Sequence, residues 1–287
     1  MLSRYALPAV AATSAIFTAT RYFALSTSNS GLPKKMSTAP PPYEARTRTN
    51  GFPAKWPYRA SDFQRMDESD DDRFYSMPRF VTHIDDRCID ALSTYYGGVL
   101  PQASSSSSDQ RPRILDIASS WISHLPEDWG PKNTEVVGIG MNEPELSKNR
   151  ALSRYLVLDM NRDPQGLSRA LSSGEKYDAA ICSVSIDYLT QPREMLADLS
   201  TILKKDAGVH LAFSNRCFPS KVVGRWLHIS EDERCDMVAD YFHFAGTSHD
   251  EGTLAKPGGL FRDVEIVTVL KPSRSGDPLY VVRARRT

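Results

Sequence analysis

The sequence has no excess of either charge: 35 Lys and Arg stand against 35 Asp and Glu in 287 residues. No whole-protein field therefore draws it toward nucleic acid or an anionic membrane surface. It has no C-x-x-C pair either. The four cysteines (Cys88, Cys182, Cys217 and Cys235) are far apart, which argues against a disulfide framework or structural zinc and for reduced, mostly buried thiols. The six histidines are equally dispersed; His243 and His249, the nearest pair, have no helical i, i+4 spacing, so no metal site is expected. No apolar run is long enough to span a membrane, since the stretch from Leu7 to Phe17 is short and broken by Thr13. Acidic residues are absent before Glu44.

That acid-poor beginning, with Arg4, Arg21, Lys34 and Lys35 among many Ser, Thr and Ala, has the composition of a mitochondrial transit peptide over 1–36. Met36 is an alternative start, whose product would be cytoplasmic. Residues 37–72 are Pro-rich and then acidic (Asp67-Glu-Ser-Asp-Asp-Asp72), and read as a disordered, extended arm. The main domain is expected over 73–287. The run from Pro101 to Pro112, with five consecutive serines, reads as a surface loop.

From Val81 to Tyr95 apolar residues recur with helical period. Strands and helices then alternate. Strands are predicted at Arg113–Ile117, Glu135–Gly140, Tyr155–Leu158, Tyr177–Ser183 and Val209–Ser214. Helices are predicted after Asn142, over Pro164–Leu171, over Pro192–Leu203 and behind the capping box Ser230-Glu-Asp-Glu233. Two β-branched runs, Phe261–Leu270 and Leu279–Arg285, are joined by a link too short for a crossover helix, so they must be antiparallel. The fold class is α/β: a doubly wound, mostly parallel seven-stranded sheet with a C-terminal antiparallel hairpin.

A doubly wound sheet binds ligands beyond the carboxyl ends of its strands. The first strand, Ile114-Leu-Asp-Ile117, leads there to a turn of Ala118, Ser119 and Ser120, with no glycine. Ser119, Ser120, Ser123 and His124 would suit a nucleophile and base, but no G-x-S-x-G elbow is present, and the spacing from Ser120 reads as a helix start. Gly138 and Gly140 lack the third glycine of a dinucleotide fingerprint.

Four segments carry a family likeness: Ile114-Leu-Asp-Ile117, Val136-Val-Gly-Ile139, Lys176-Tyr-Asp-Ala-Ala-Ile-Cys182 and Met195-Leu-Ala-Asp-Leu-Ser-Thr-Ile-Leu203. With the terminal hairpin, they resemble class I S-adenosylmethionine-dependent methyltransferases, most of all the type 11 methyltransferase-like group, from Phe74 to the carboxyl terminus. The resemblance implies S-adenosylmethionine as cofactor and a small-molecule acceptor. Asp116, Ala118, Ser119, Ser120 and Ser183 would face its methionine end, Met141 and Asn142 the ribose, and Asp159 and Met160 the adenine. After the fourth strand Asp187 or Tyr188 would take a proton from the acceptor, which Asn215 would orient and Arg216 would bind if acidic. Tyr75 and His83 would belong to a lid. Two departures stand out. The Gly-x-Gly loop is Ala118-Ser-Ser120, and the ribose-chelating acid falls at Gly140, a loss of about 1.5–3 kcal/mol if unreplaced. The alternative is a methyltransferase-like binding or assembly protein with little or no catalysis.

Overall fold

The computed structural model describes residues 43–102, 111–127, 129–171, 174–247, 256–274 and 276–287. The presequence expected over 1–36, the start of the arm and the serines at 104–108 lie outside the described residues.

The first strand, β1 (Glu44–Arg46), belongs to the expected arm. The central strands are β2 (Arg113–Ile117), β3 (Glu135–Gly140), β4 (Arg154–Val157), β5 (Tyr177–Ser183) and β6 (Leu203–Phe213), and each pairs in parallel with its neighbours. The hairpin of β7 (Phe261–Leu270) and β8 (Leu279–Arg286) joins β6 through β8, antiparallel. The sheet order is β1-β7-β8-β6-β5-β2-β3-β4, so the seven expected strands are present with an eighth added.

Side chains alternate across a strand with period two, and both faces of this sheet are covered. On one face α2 (Asp86–Val99) buries Cys88, Leu92, Tyr95 and Tyr96 with Ile114, Val136, Ala179 and Ile181. On the other, α5 (Pro192–Ile202) and α6 (Glu231–His243) pack over Leu115, Ile117, Val137, Ala180 and Cys182. Asp85 caps α2 by accepting from the Cys88 amide at 2.8 Å, and Ser230 with Glu233 forms the expected box on α6. Short helices α1 (Asp71–Phe74), α3 (Glu143–Leu146) and α4 (Leu167–Ala170) lie between these elements. The four cysteines are free thiols; three are buried and Cys217 is half-buried.

Three expectations are corrected. The arm is ordered over 43–72. β1 pairs antiparallel with β7, Arg48 binds Asp240 at 2.7 Å, and Trp56 lies 4.3 Å under the buried Arg193 guanidinium. Phe52, Trp56, Tyr58 and Phe63 supply the apolar area that anchors it, and proline content masked that signal. No helix follows β2; residues 118–127 run as irregular chain. The fifth strand, expected to start at Val209, begins as β6 at Leu203 and takes a left-handed kink at Asp206 (φ 64°). Among the described residues no helix is long and apolar enough to cross a membrane.

Candidate functional site

A cleft opens beyond the carboxyl ends of β2, β3, β4 and β5. Its floor is Ala118, Ser119 and Ser120 after β2, Met141 and Asn142 after β3, and Asp159 and Met160 after β4; Ser185 and Tyr188 follow β5. Its outer wall comes from the segment before α2, through Asp71, Tyr75, Arg79 and His83, with Phe218 beside them. Tyr75 and His83, the residues expected from sequence to belong to a lid, both line the cleft.

Alternation decides which strand-end residues face the cleft. Asp116 has the same parity as Ile114, so its carboxyl points to the α2 face and is 1% exposed. There Ser119 Oγ and Ser123 Oγ each donate to its Oδ2 at 2.6 Å. Burial pushes its pKa up to about 7, with the two hydroxyls working against the rise. Ser183 shares that orientation, and its hydroxyl bonds the Tyr96 hydroxyl at 2.8 Å. Asp116 and Ser183 are thus not among the residues of the main cleft; they line a small cavity behind the loops that adjoins it and shares His83, Ala118, Ser119, Ser120, Val184 and Ser185 with it.

The catalytic expectation changes likewise. Asp187, in the 3-10 turn Ile186–Tyr188, is 3% exposed and outside the cleft; burial lifts its pKa to about 7. Asn215 is exposed and does not line the cleft, and Arg216 is bound to Asp277 at 2.6 Å. Tyr188 does line it, with its hydroxyl accepting from the Phe218 amide at 2.8 Å. Strand-end position alone could not separate Tyr188 from Asp187, because a 3-10 turn sends adjacent side chains to different sides.

The loop after β2 is held in a conformation usually left to glycine. Ala118 has φ 51°, and Val184, facing it from the β5 loop, has φ 50°. For L-residues the left-handed region costs about 1–2 kcal/mol, and a β-branched residue there is a genuine outlier. Such strain is stored where surrounding structure over-determines the backbone. The Ser119 amide donates to the Ile139 carbonyl at 2.7 Å, which draws the loop across the end of β3. A Cβ at Gly140 would meet the Ser119 carbonyl oxygen at 2.2 Å.

Polar side chains around the floor are mostly committed. Asn142 caps α3 by accepting from the Glu145 amide at 3.0 Å, and its Nδ2 donates to the Tyr75 carbonyl at 2.7 Å. It ties lid to floor, with neither end left to a ribose. Glu145, overlooked in the sequence, lines the cleft and accepts from Ser120 Oγ and the Arg79 amide, each at 2.6 Å. Asp159 Oδ1 accepts from the amides of Asn161 (2.9 Å) and Arg162 (3.1 Å) in a tight turn. Its Oδ2 faces only the Arg162 Nε, at 4.0 Å, among the described residues. His83 is held below its usual pKa by burial, with Arg79 adding to the shift and Glu145 opposing it.

The strand order, parallel from β4 through β3, β2 and β5 to β6 and closed by the inserted antiparallel β8, now stands beside a cleft at the strand ends. This is the doubly wound, mostly parallel sheet with a C-terminal antiparallel hairpin that the resemblance to class I methyltransferases implies. No protein-family model and no curated protein sequence matches the chain. Solved structures do match it in fold. They include the CurJ carbon methyltransferase, with 16% identity and a TM-score of 0.45 over 69% of this chain and 54% of that one. A TehB-like SAM-dependent methyltransferase from Corynebacterium glutamicum has 13% identity and a TM-score of 0.39, over 69% and 88%. The magnesium protoporphyrin IX methyltransferase ChlM from Synechocystis, with bound SAM, has 13% identity and a TM-score of 0.40, over 70% and 79%. The chain spans about half the length of the CurJ protein.

Proposed function

We propose that the chain binds S-adenosylmethionine and transfers its methyl group to a small-molecule acceptor. The observation that carries this reading is Asp159. One oxygen of its carboxylate is fixed by the turn it closes, leaving the other to accept from an exocyclic amine. Met160, Met141 and Leu158 line the cleft beside it and suit the faces of a purine ring. The adenine end of the cofactor thus fits. At the ribose end Gly140 supplies no carboxylate and Asn142 is already bonded, so binding there is weaker than a chelating acid would give. When bound, the cofactor supplies an electrophilic methyl on a sulfonium.

The chain's own contribution is alignment, exclusion of water and proton removal. The wall of Tyr75, Arg79 and Phe218 encloses the cleft opposite the strained loops at Ala118 and Val184. His83, neutral at pH 7, lines the same space and serves as the base in place of Asp187. Tyr188 and the backbone around Ser185 position the acceptor.

The second reading, a binding or assembly protein, is favoured by one contact, that of Ser119 on Gly140, which fills the place of the ribose acid. Calorimetric titration with S-adenosylmethionine and S-adenosylhomocysteine separates the two. Saturable heat in the micromolar to low millimolar range supports the enzyme, and none at millimolar ligand leaves the binding protein. Initiation at Met1 with mitochondrial import, against initiation at Met36, is tested by imaging the two tagged products.

A further inference from the structure

Each acid lining the cleft has at least one partner, whereas the arginine there is paired with no acid among the described residues. Asp71 receives Arg65 at 2.8 Å, Lys221 at 3.2 Å and the Asn161 amide group at 2.9 Å. Glu145 accepts from Ser120 and the Arg79 backbone, and one oxygen of Asp159 is held by its own turn. The Arg79 guanidinium has no carboxylate within 4.0 Å among the described residues. It donates one bond, to the Phe74 carbonyl at 2.9 Å. Its carbon lies 4.5 Å from the centre of the Phe74 ring and 5.6 Å from that of Phe218. Stacking on aromatic faces holds a guanidinium in place while leaving its in-plane N–H edge open. That edge is shaped for two parallel bonds to a carboxylate. The floor opposite offers little to an anion: no helix begins after β2, and the Ser119 amide is spent on Ile139.

We propose that Arg79 is the carboxylate receptor of the cleft, the side chain that fixes an anionic end of a bound ligand. Two ligands present that chemistry: the amino-acid end of the methyl donor and an acidic acceptor. The donor arm rests on the methyltransferase reading; the acceptor arm does not.

Calorimetry on the full chain, wild type against Arg79→Gln and Arg79→Lys, tests both sources. For the donor, S-adenosylhomocysteine is compared with 5′-deoxy-5′-methylthioadenosine, which lacks the carboxylate. For the acceptor, benzoate is compared with benzamide, with and without saturating S-adenosylhomocysteine. The expected result in Arg79→Gln is a loss of about ten- to a hundredfold for a carboxylate ligand. Its neutral counterpart should stay within about twofold, and Arg79→Lys should recover part of the loss. Discrimination within the adenosine pair assigns Arg79 to the donor. Discrimination within the benzoate pair, surviving donor saturation, assigns it to the acceptor. If neither adenosine ligand binds wild type while benzoate discriminates, the donor reading falls and the Arg79 assignment stands. Equal losses within both pairs, no losses, or no binding of either carboxylate to wild type overturns it. An unchanged unfolding midpoint for Arg79→Gln excludes misfolding as the source of any loss.

Discussion

The carbonyl of Ser119 lies directly over the Cα of Gly140, so close that any side chain there would begin 2.2 Å from its oxygen. The two departures from the methyltransferase pattern are therefore one feature. A loop without glycines, held at φ 51° by Ala118 and tied down by the Ser119 amide on Ile139, occupies the space an acid at the end of β3 would need. Replacing the loop glycines and losing the ribose acid are consequences of the same backbone path.

Gly140→Ala should therefore be disruptive although alanine is small. The obstacle is a backbone oxygen with Leu146 Cδ2 at 3.1 Å beside it, so relief requires moving the loop. Overpacking of this kind costs about 1–3 kcal/mol. The expected result is a lower denaturation midpoint with an unchanged m-value, together with weaker ligand binding in the cleft. Gly138→Ala is the control, because the atoms its Cβ would meet are the side-chain tip of Leu152, at 2.5 Å, which can turn aside. Equal midpoints for Gly140→Ala and wild type would refute the link between loop and strand end.

Much of the fold was legible because periodicity is a local signal. β2, β3, β5 and β7 and the caps at Asn142 and Ser230 fall where the residues placed them. The site was legible only in outline. Loops at strand ends could be named, but turn geometry leaves Asp187 outside the cleft and alternation puts Asp116 in the small cavity that adjoins it, which no motif records. Arg79 was missed because it reaches the cleft from the segment before α2, far from the strand ends in sequence, and Glu145 because it lies in the first turn of α3, just past the strand-end residues that were named. Residues 43–72 were misread because their aromatics are interleaved with prolines, and composition was weighed above the pairing of Glu44–Arg46 with β7.

Asp116 makes a pH-dependent contribution whose sign follows from its environment. Its folded pKa, about 7, lies above the ordinary value near 3.9, so the folded state holds a proton that the unfolded chain releases. The contribution is complete below about pH 4 and is lost as pH rises through about 7. Asp116→Asn mimics the protonated form, and its amide oxygen can still accept from Ser119 and Ser123. The variant should gain stability over wild type as pH rises from 5 to 8, when chemical denaturation is compared across that range. Because the carboxyl lies beneath the loop, ligand affinity should change by less than about twofold. A parallel pH profile for the two proteins, or a tenfold loss of affinity, would contradict the placement of this group.

Lys221 fastens the lid. Its ammonium is fully buried, 2.6 Å from the Ser69 carbonyl and 3.2–3.3 Å from carboxylate oxygens of Asp71 and Asp67, while Arg65 holds Asp71 from the other side. The segment leading to Tyr75, Arg79 and His83 is thus moored to the turn after β6 before it reaches the cleft. Burial pushes the Asp71 pKa up, but bonds from Arg65, Asn161 and Lys221 outweigh it and hold the group below its ordinary value. Its contribution is present above about pH 4 and is lost as pH falls through the lowered pKa. Lys221→Met keeps the aliphatic volume but removes one charge from a buried cluster, an act that costs about 3–5 kcal/mol where the remaining partner is left uncompensated. Arg65 and Asn161 remain on Asp71, so the loss should fall at or below the low end of that range. Amide exchange should rise first over residues 65–80, ahead of the central strands, because the lid has lost its mooring while the sheet has not. Uniform exchange across lid and sheet would mean that Lys221 supports the whole fold and has no particular hold on the wall of the cleft.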